Sequence, residues 1–319
     1  QHWMNCKLYI GCVSRNTVDA VIDYSIENNV FLGLIPSRRQ VDFDGGYIGF
    51  DNKTLHKYVK SKTDNVILQR DHGGPYQGKH IDDGVVSLIN DCQYYDLIHI
   101  DPWKLYGSFD AGLYSTLELM NVCLHQNYKG GFEIATEQAI RQFSLSELDR
   151  LIESCRDYNI TYVVIQSGTS LKENVNTGVY DQTKLVEFIK IVRKHGLKSK
   201  EHNGDYLPTN LIHEKFRVGL DSINIAPEFG LIETNCYIKA IGSNNTLLNK
   251  YYQLCHDSGQ WKKWVDKNFD VENRHKLIQI CGHYILETDA FRSEIKEKLP
   301  DITTEIRDQM KQRINEILQ

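Results

Sequence analysis

Short runs of apolar and β-branched residues recur along the chain, each stopping at a charged or amide side chain and each followed by an amphipathic stretch. Lys7 to Val13 is the first run, and Asn16 to Asn28 carries apolar residues at 18, 21, 22 and 26, a helical stripe. Val30 to Ile35 is the second strand, after which a polar, glycine-bearing loop leads to a helix capped by Asp51 and running through Lys60. Val66 to Asp71 is the third, ending in Asp71-His72-Gly73-Gly74-Pro75, with a helix over roughly 80 to 90. Asp96 to Asp101 precedes a helix from Ala111 to about Leu124. Gly131 to Glu137 precedes a helix opened by a Ser144 and Glu147 capping box and ending near Tyr158. Thr161 to Gln166 precedes a helix from Asp181 to His195, which Gly196 stops. Leu197 to His202 and Ser222 to Ala226 complete the strands, with helices over 209 to 217 and about 230 to 241.

Eight strand-then-helix units over residues 5–242 are what an α/β (β/α)8 TIM barrel requires. A doubly wound sheet is the rival arrangement, but no G-x-G-x-x-G follows the first strand, which argues against its dinucleotide-binding form. Beyond Gly242 the strand signal stops and Lys and Glu interleave with apolar residues, so 243–319 is expected to form a helical appendage.

The bulk numbers narrow the function. A chain of 319 residues with net charge −5 can bury a sizeable core and offers no basic surface for nucleic acid or an anionic membrane. No apolar run approaches the roughly 20 residues that span a bilayer, and no signal peptide is visible. The eight cysteines lack CxxC or other ligand spacing and several lie inside apolar runs, so reduced core cysteines of a cytoplasmic protein are expected.

In a barrel of this kind the site is built from the carboxyl ends of the strands. Those ends read Ser14, Ser37, Asp71 with His72, Asp101, Glu137, Gln166, His202 and Glu228, a convergent polar ring. Two histidines and a carboxylate from separate strands suit a divalent cation, with Zn²⁺ the first choice and Mn²⁺ or Co²⁺ the alternatives. His72, Glu137 and His202 are the candidate ligands; both histidines lie at strand ends with carboxylates close in sequence. The remaining histidines, His99 and His283 among them, are set aside as lying mostly on helices or at their ends. Such a cation would act as a Lewis acid on carbonyl and hydroxyl oxygens while a carboxylate moves the proton, with Asp71 and Asp101 as acid and base. Glu137 is also a catalytic candidate, and support of the ligands is the other reading of Asp101. Arg38, Arg39, Arg70 and Lys104 are expected at the rim, suiting an anionic substrate such as a sugar phosphate. Gly45-Gly46-Tyr47 could offer backbone amides to a phosphate or form a plain lid. Ser37, Arg38, Gln40, Gly45, Gly46, Tyr47, Arg70, Gln166, Asp205 and Glu228 are thus the candidate substrate-binding residues.

The order of motifs resembles the tagatose-bisphosphate aldolase accessory-subunit family, the GatZ/KbaZ-like proteins. The resemblance runs from about Ile10 to Glu228 through Gln40-Val41, Phe43, GGYIG (45 to 49), DHGGP (71 to 75), IHID (98 to 101), ATE (135 to 137), VVIQSG (163 to 168), EHNGDY (201 to 206) and INIAP (223 to 227). WKKW (261 to 264) resembles that family's tail more weakly. The resemblance implies a barrel related to class II aldolases and action on phosphorylated ketoses. Family members are described as partners of a separate aldolase subunit, and relatives as metal-dependent ketose 4-epimerases. It also implies that Asp71 and His72 serve as general base and metal ligand, with Glu137 and His202 as further ligands. C4 epimerisation, bisphosphate cleavage by a true aldolase, and a non-catalytic subunit stabilising an aldolase partner all remain open, as does a homo-oligomer. This chain departs from the family at Gln69-Arg70, at Pro102-Trp103-Lys104, and in a shorter stretch after Glu137. Those positions lie at the mouth, so they bear on the substrate more than on the chemistry.

Overall fold

A computed structural model of the chain describes residues 5–136 and 143–319. Eight parallel strands close into a barrel: β1 (Leu8–Ile10), β2 (Leu32–Leu34), β3 (Val66–Gly73), β4 (Leu97–Ile100), β5 (Gly131–Ile134), β6 (Ile160–Ile165), β7 (Lys198–Glu201) and β8 (Ser222–Ile225). β1 pairs with both β2 and β8, which removes the sheet edges. Outside lie α1 (Arg15–Asn28), α2 (Asn52–Lys60), α3 (Val85–Tyr94), α4 (Phe109–His125), α5 (Leu145–Ser154), α6 (Gln182–Lys194), α7 (Thr209–Arg217) and α8 (Pro227–Ile241). The expected (β/α)8 fold is therefore the fold of the molecule.

The helices begin where local chemistry satisfies their first amides. Ser14 caps α1, Asp51 and Thr54 make a reciprocal box at α2, and Ser144 with Glu147 does the same at α5. Two starts differ from expectation. α3 begins only at Val85, because Asp82 is held by Arg38 and accepts from the Gly84 amide, keeping the preceding loop out of helical conformation. α8 begins at Pro227, earlier than 230: proline needs no amide partner in a first turn, and Asp205 accepts from the Ala226 and Glu228 amides at 2.8 Å each.

Along each strand the pleat sends alternate side chains inward and outward. Tyr9, Ile67, Leu97 and Tyr162 form a small apolar cluster inside the barrel, and Leu8, Ile10, Val66, Leu68, Ile98 and Ile100 join the large core beneath the helices. Gly33 leaves room for this interior packing, since a Cβ there would come within 2.0 Å of the Tyr9 ring. All eight cysteines are free and all but Cys92 are buried.

After α8 the chain is helical: α9 (Asn245–Ser258), α10 (Arg274–Cys281), α11 (Asp289–Glu294) and α12 (Thr303–Leu318), with a 3-10 turn at Gln260–Trp264 and another at Gly282–Ile285. Ile306, Met310, Ile314 and Ile317 belong to the same apolar core as the barrel helices, and Arg313 pairs with Glu228 at 2.9 Å. The two turns place Lys263, Trp264, His283 and Tyr284 over the barrel mouth, where they line a cavity with residues of β3 and β8 and of the segments that follow β1, β2 and β7. Among the described residues no helix is long and apolar enough to cross a membrane.

Candidate metal centre at the barrel mouth

Three imidazoles converge at the carboxyl end of the barrel. The rings of His72, His99 and His202 lie 4.8, 5.2 and 5.3 Å apart pairwise, and one donor atom from each, with one from Asp71, falls within a span of 4.8 Å. Backbone geometry makes this convergence. Between Arg70 and Gly73 the β3 to β4 register slips by one residue, a bulge that lets the neighbouring Asp71 and His72 both reach the interior. His72 adopts φ 48°, a left-handed conformation costing a non-glycine residue on the order of 1–3 kcal/mol. Gly74, at φ 145°, carries the turn over β4, where a Cβ would come within 2.6 Å of the Asp101 carbonyl oxygen.

Two carboxylates fix the ring orientations. Asp101 Oδ2 lies 2.7 Å from His72 Nδ1, and Glu133 Oε1 lies 2.7 Å from His202 Nε2. Burial pushes the Asp101 carboxyl up, but the hydrogen bond and charge of His72, with His99 and the Trp103 amide, outweigh it and hold Asp101 below the usual carboxylate range. Glu133 stays charged for a similar reason: burial opposes ionisation, and Lys200 and His202 overcome it. Lys200 donates to Gln69 Oε1 and contacts Glu133 Oε2, at 2.7 Å each, and lies 3.5 Å from the Tyr9 ring centroid. Since β3, β5 and β7 are not neighbours in the sheet, these contacts cross the barrel axis beneath the histidines. Burial, reinforced by His72 and His202 and opposed by Glu133, pushes His99 down to about 4, so its ring is neutral and able to ligate.

Buried side-chain atoms without a hydrogen-bond partner gather at this mouth. They are Asp71 Oδ1, both ring nitrogens of His99, Thr136 Oγ1 and Asn224 Oδ1. Leaving such atoms dry and unpaired is costly, and a divalent cation with a bound oxygen ligand would satisfy the imidazole and carboxylate donors together. The residues present fit a cation: three nitrogens and a carboxylate oxygen, with outer carboxylates already holding two of the rings.

The cavity around this cluster has two lobes. One, of about 310 Å³, is lined by Ser37, Arg39, Gln40, Tyr47, Asp71, His72, His202, Asp205 and Asn224 together with the turns that follow α9 and α10. The other, of about 250 Å³, is lined by Gln77, His99, Asp101, Lys104, Thr136 and Gln166. Gln40 ties the first lobe together, accepting from the Ser37 amide and donating to the Tyr47 hydroxyl at 3.1 Å. Asp205 is buried there, and burial together with Glu228 pushes its carboxyl up to about 7.

Of the residues singled out from sequence, Ser37, Gln40, Tyr47, Gln166, Asp205, Asp71, His72, Asp101 and His202 line the cavity at the mouth. Glu137 lies outside the described residues. Other positions do not face the cavity. Arg70 points outward from β3 and is fully buried between Asp91, Asn52 and the carbonyls of Pro36 and Val41, because its pleat position is one residue off that of Asp71. Arg38 is buried against Asp42 and Asp82, where those charges outweigh burial and raise its pKa. Glu228 is taken by Arg313 and the Tyr206 amide. Gly45 and Gly46 shape the loop instead of walling the cavity, with a Cβ at Gly46 coming within 2.0 Å of the Gln40 carbonyl oxygen. His99, set aside from sequence, is the central addition; in Ile98-His99-Ile100-Asp101 the alternation with two isoleucines marks it as inward-facing. The inward positions of Glu133 and Lys200 could have been found by the same parity. Lys263 comes from the tail and no barrel pattern announces it.

No family model matches the sequence, and no curated protein matches it. Solved structures do. A protein described as a probable tagatose 6-phosphate kinase from Sinorhizobium meliloti is similar with a TM-score of 0.76 at 13% identity, over 97% of this chain and 93% of that one. The fructuronate-tagaturonate epimerase UxaE from Cohnella laeviribosi is similar with a TM-score of 0.65 at 10% identity, over 98% of this chain and 80% of that one. A fructose-bisphosphate aldolase from Campylobacter jejuni gives 0.60 at 13% identity, over 99% and 91%. At these identities the similarity is one of fold: this chain shares the barrel of aldolase-type and epimerase-type proteins.

Proposed function

We propose that the protein is a metal-dependent enzyme acting at the C3–C4 bond of a phosphorylated ketose, with C4 epimerisation of the fructose or tagatose phosphate type as its reaction. The observation that carries this reading is the cluster of His72, His99, His202 and Asp71 at the end of a cavity, in which Asp71 Oδ1 and both His99 ring nitrogens are buried without a hydrogen bond. The fold shared with an aldolase and a ketohexuronate epimerase, and the motif resemblance, support the choice of chemistry. His72, His99 and His202 would hold the cation, most suitably Zn²⁺, which supplies Lewis-acid polarisation of the substrate's carbonyl and hydroxyl oxygens.

The chain's own residues supply the rest. Asp101 and Glu133 hold the His72 and His202 rings in place. Asp71, whose Oδ1 accepts no hydrogen bond, takes the proton of the C4 hydroxyl as the C3–C4 bond breaks and its electron pair passes into the ketone-bearing fragment. Rotation of the aldehyde, re-formation of the bond on its other face and return of the proton from Asp71 invert C4. Gln77, Thr136 and Gln166, which line the smaller lobe, would hold hydroxyl groups of the substrate. A cytoplasmic setting agrees with eight free cysteines.

The test is metal analysis of the purified protein with NMR of fructose 6-phosphate and tagatose 6-phosphate incubated with it alone. Interconversion by a metal-containing protein is expected, and Asp71→Asn should lower the rate by roughly 10²–10⁴-fold while the fold is kept. Triose products from ketose bisphosphates would make it an aldolase instead. A metal-free, inert protein that binds an aldolase would make it an accessory subunit.

A further inference from the structure

The larger lobe of the cavity has a wall that no strand supplies. Trp264 Nε1 donates to the Tyr284 hydroxyl at 3.1 Å, and the Tyr284 ring meets the Tyr47 ring edge-on at 5.1 Å. Tyr47 is in turn held by Gln40. The two tail turns are thereby locked to the loop after β2. On this aromatic frame lies Lys263, its Nζ 5.0 Å from the Trp264 and Tyr284 ring centroids. Arg39 lines the same lobe, and neither cation has a carboxylate partner among the described residues. That contrasts with Arg38 and Arg70, both sequestered by aspartates.

We propose that Arg39 and Lys263 form the seat for the anionic end of the substrate, a phosphate or a carboxylate, so that the chain beyond α8 completes the active site. The assignment rests on the ketose reading for its substrate, and on the cavity for its geometry. Two unpaired cations at the rim of a lobe whose floor holds Asp71 and Asn224 give a ligand one charged end and one hydroxylated end. The charges also strain one another. Burial of its ammonium, then Arg39 and Lys104, pushes Lys263 down to about 8, although the residue as a whole remains exposed. The other groups facing it do not relieve this. His283, buried beside it, is pushed down to about 3 by burial and by Lys263 itself, so it is neutral, and Tyr284 offers a ring face. An anion seated between Arg39 and Lys263 would cancel the repulsion and draw a proton onto the lysine.

The experiment is calorimetric titration of the metal-loaded protein at pH 8 in two buffers of different ionisation enthalpy. The ligands are inorganic phosphate, fructose 6-phosphate and a hexuronate, offered to wild type, Lys263→Gln and Lys263→Arg. Wild type should bind with proton uptake. Lys263→Gln should lose the uptake and bind roughly ten- to a hundredfold more weakly, and Lys263→Arg should recover affinity without uptake. Whichever of the phosphate and carboxylate ligands loses more affinity in Lys263→Gln names the anion. Wild-type affinity in Lys263→Gln, or no anion binding to wild type, overturns the assignment. If no ketose is turned over yet Lys263-dependent binding persists, the ketose chemistry fails and the seat stands. A thermal melt of each variant separates loss of binding from loss of fold.

Discussion

Arg70 and Asp71 are adjacent on β3, and the pleat sends them to opposite faces of the barrel wall. Arg70 meets a full set of partners: two aspartate oxygens, an asparagine and two carbonyls, all beneath the helices. Asp91 in turn is pushed up by its burial, and Arg70 is what opposes this. Asp71 faces inward with Oδ1 3.6 Å from His72 Nε2 and no hydrogen bond, beside the two ring nitrogens of His99, which also lack hydrogen bonds, Nδ1 lying 3.8 Å from Glu133 Oε1. Both faces carry buried ionisable groups, Arg70 and Asp91 on the outer and His99 and Glu133 on the inner. What separates them is satisfaction: the outer cluster closes on itself through hydrogen bonds, whereas the inner one leaves buried polar atoms without them. A charged residue near a mouth is therefore a weak indication of function, and an unsatisfied one is much stronger.

The sharpest way to break this comparison is to remove Arg70. Arg70→Met leaves the Asp91 carboxylate buried without its cation, and a loss of about 3–5 kcal/mol of stability is expected in denaturant unfolding. Metal content per folded molecule should not change. A variant that kept its stability and lost its metal would mean that the two faces are one network.

A smaller effect is expected from Asp101, which touches the histidine cluster from outside. Asp101→Asn keeps an oxygen opposite His72 Nδ1 and loses the charge, so metal affinity should fall roughly 10–100-fold in competition with a chelator, at nearly unchanged stability. Unaltered affinity would remove Asp101 from the orienting role and return it to the acid and base candidates.

The same pair of faces explains what the sequence could disclose. The barrel was legible because strand runs and helix stripes repeat eight times with their caps in place, as at Asp51 and Ser144. His72 and His202 were legible as strand-end residues. Arg70 was misplaced because strand-end position alone does not say which face a side chain takes, and the slip between Arg70 and Gly73 resets the parity just where it matters. His99 sits one pleat deeper than the strand end, so a rule that reads only the last residue passes over it. Lys263 reaches the mouth through packing of a distant turn, and no local period encodes that.

Asp205 is the intermediate case, and it gives the mildest test. Its Oδ1 accepts from two amides at the start of α8, so it is partnered as Arg70 is; yet among the described residues it forms no ion pair and Glu228 lies close, so burial and that neighbour oppose its charge. Folded Asp205 holds its proton to about 7, whereas an unfolded aspartate releases it near about 3.9. Between those values the folded state binds more protons than the unfolded state, so stability falls as pH rises. The contribution is fully present below the unfolded value and gone once pH has passed the folded one. Asp205→Asn keeps an acceptor for both amides and has no charge to lose. Its melting temperature should therefore lack this component of the decline between pH 4 and pH 7. Glu228, also pushed up by burial, contributes a slope to both proteins, so the wild-type minus variant difference is the quantity to follow. A difference that stayed level across that window would show that the two amides alone are enough to hold the charge, and Asp205 would then belong with the satisfied cluster around Arg70.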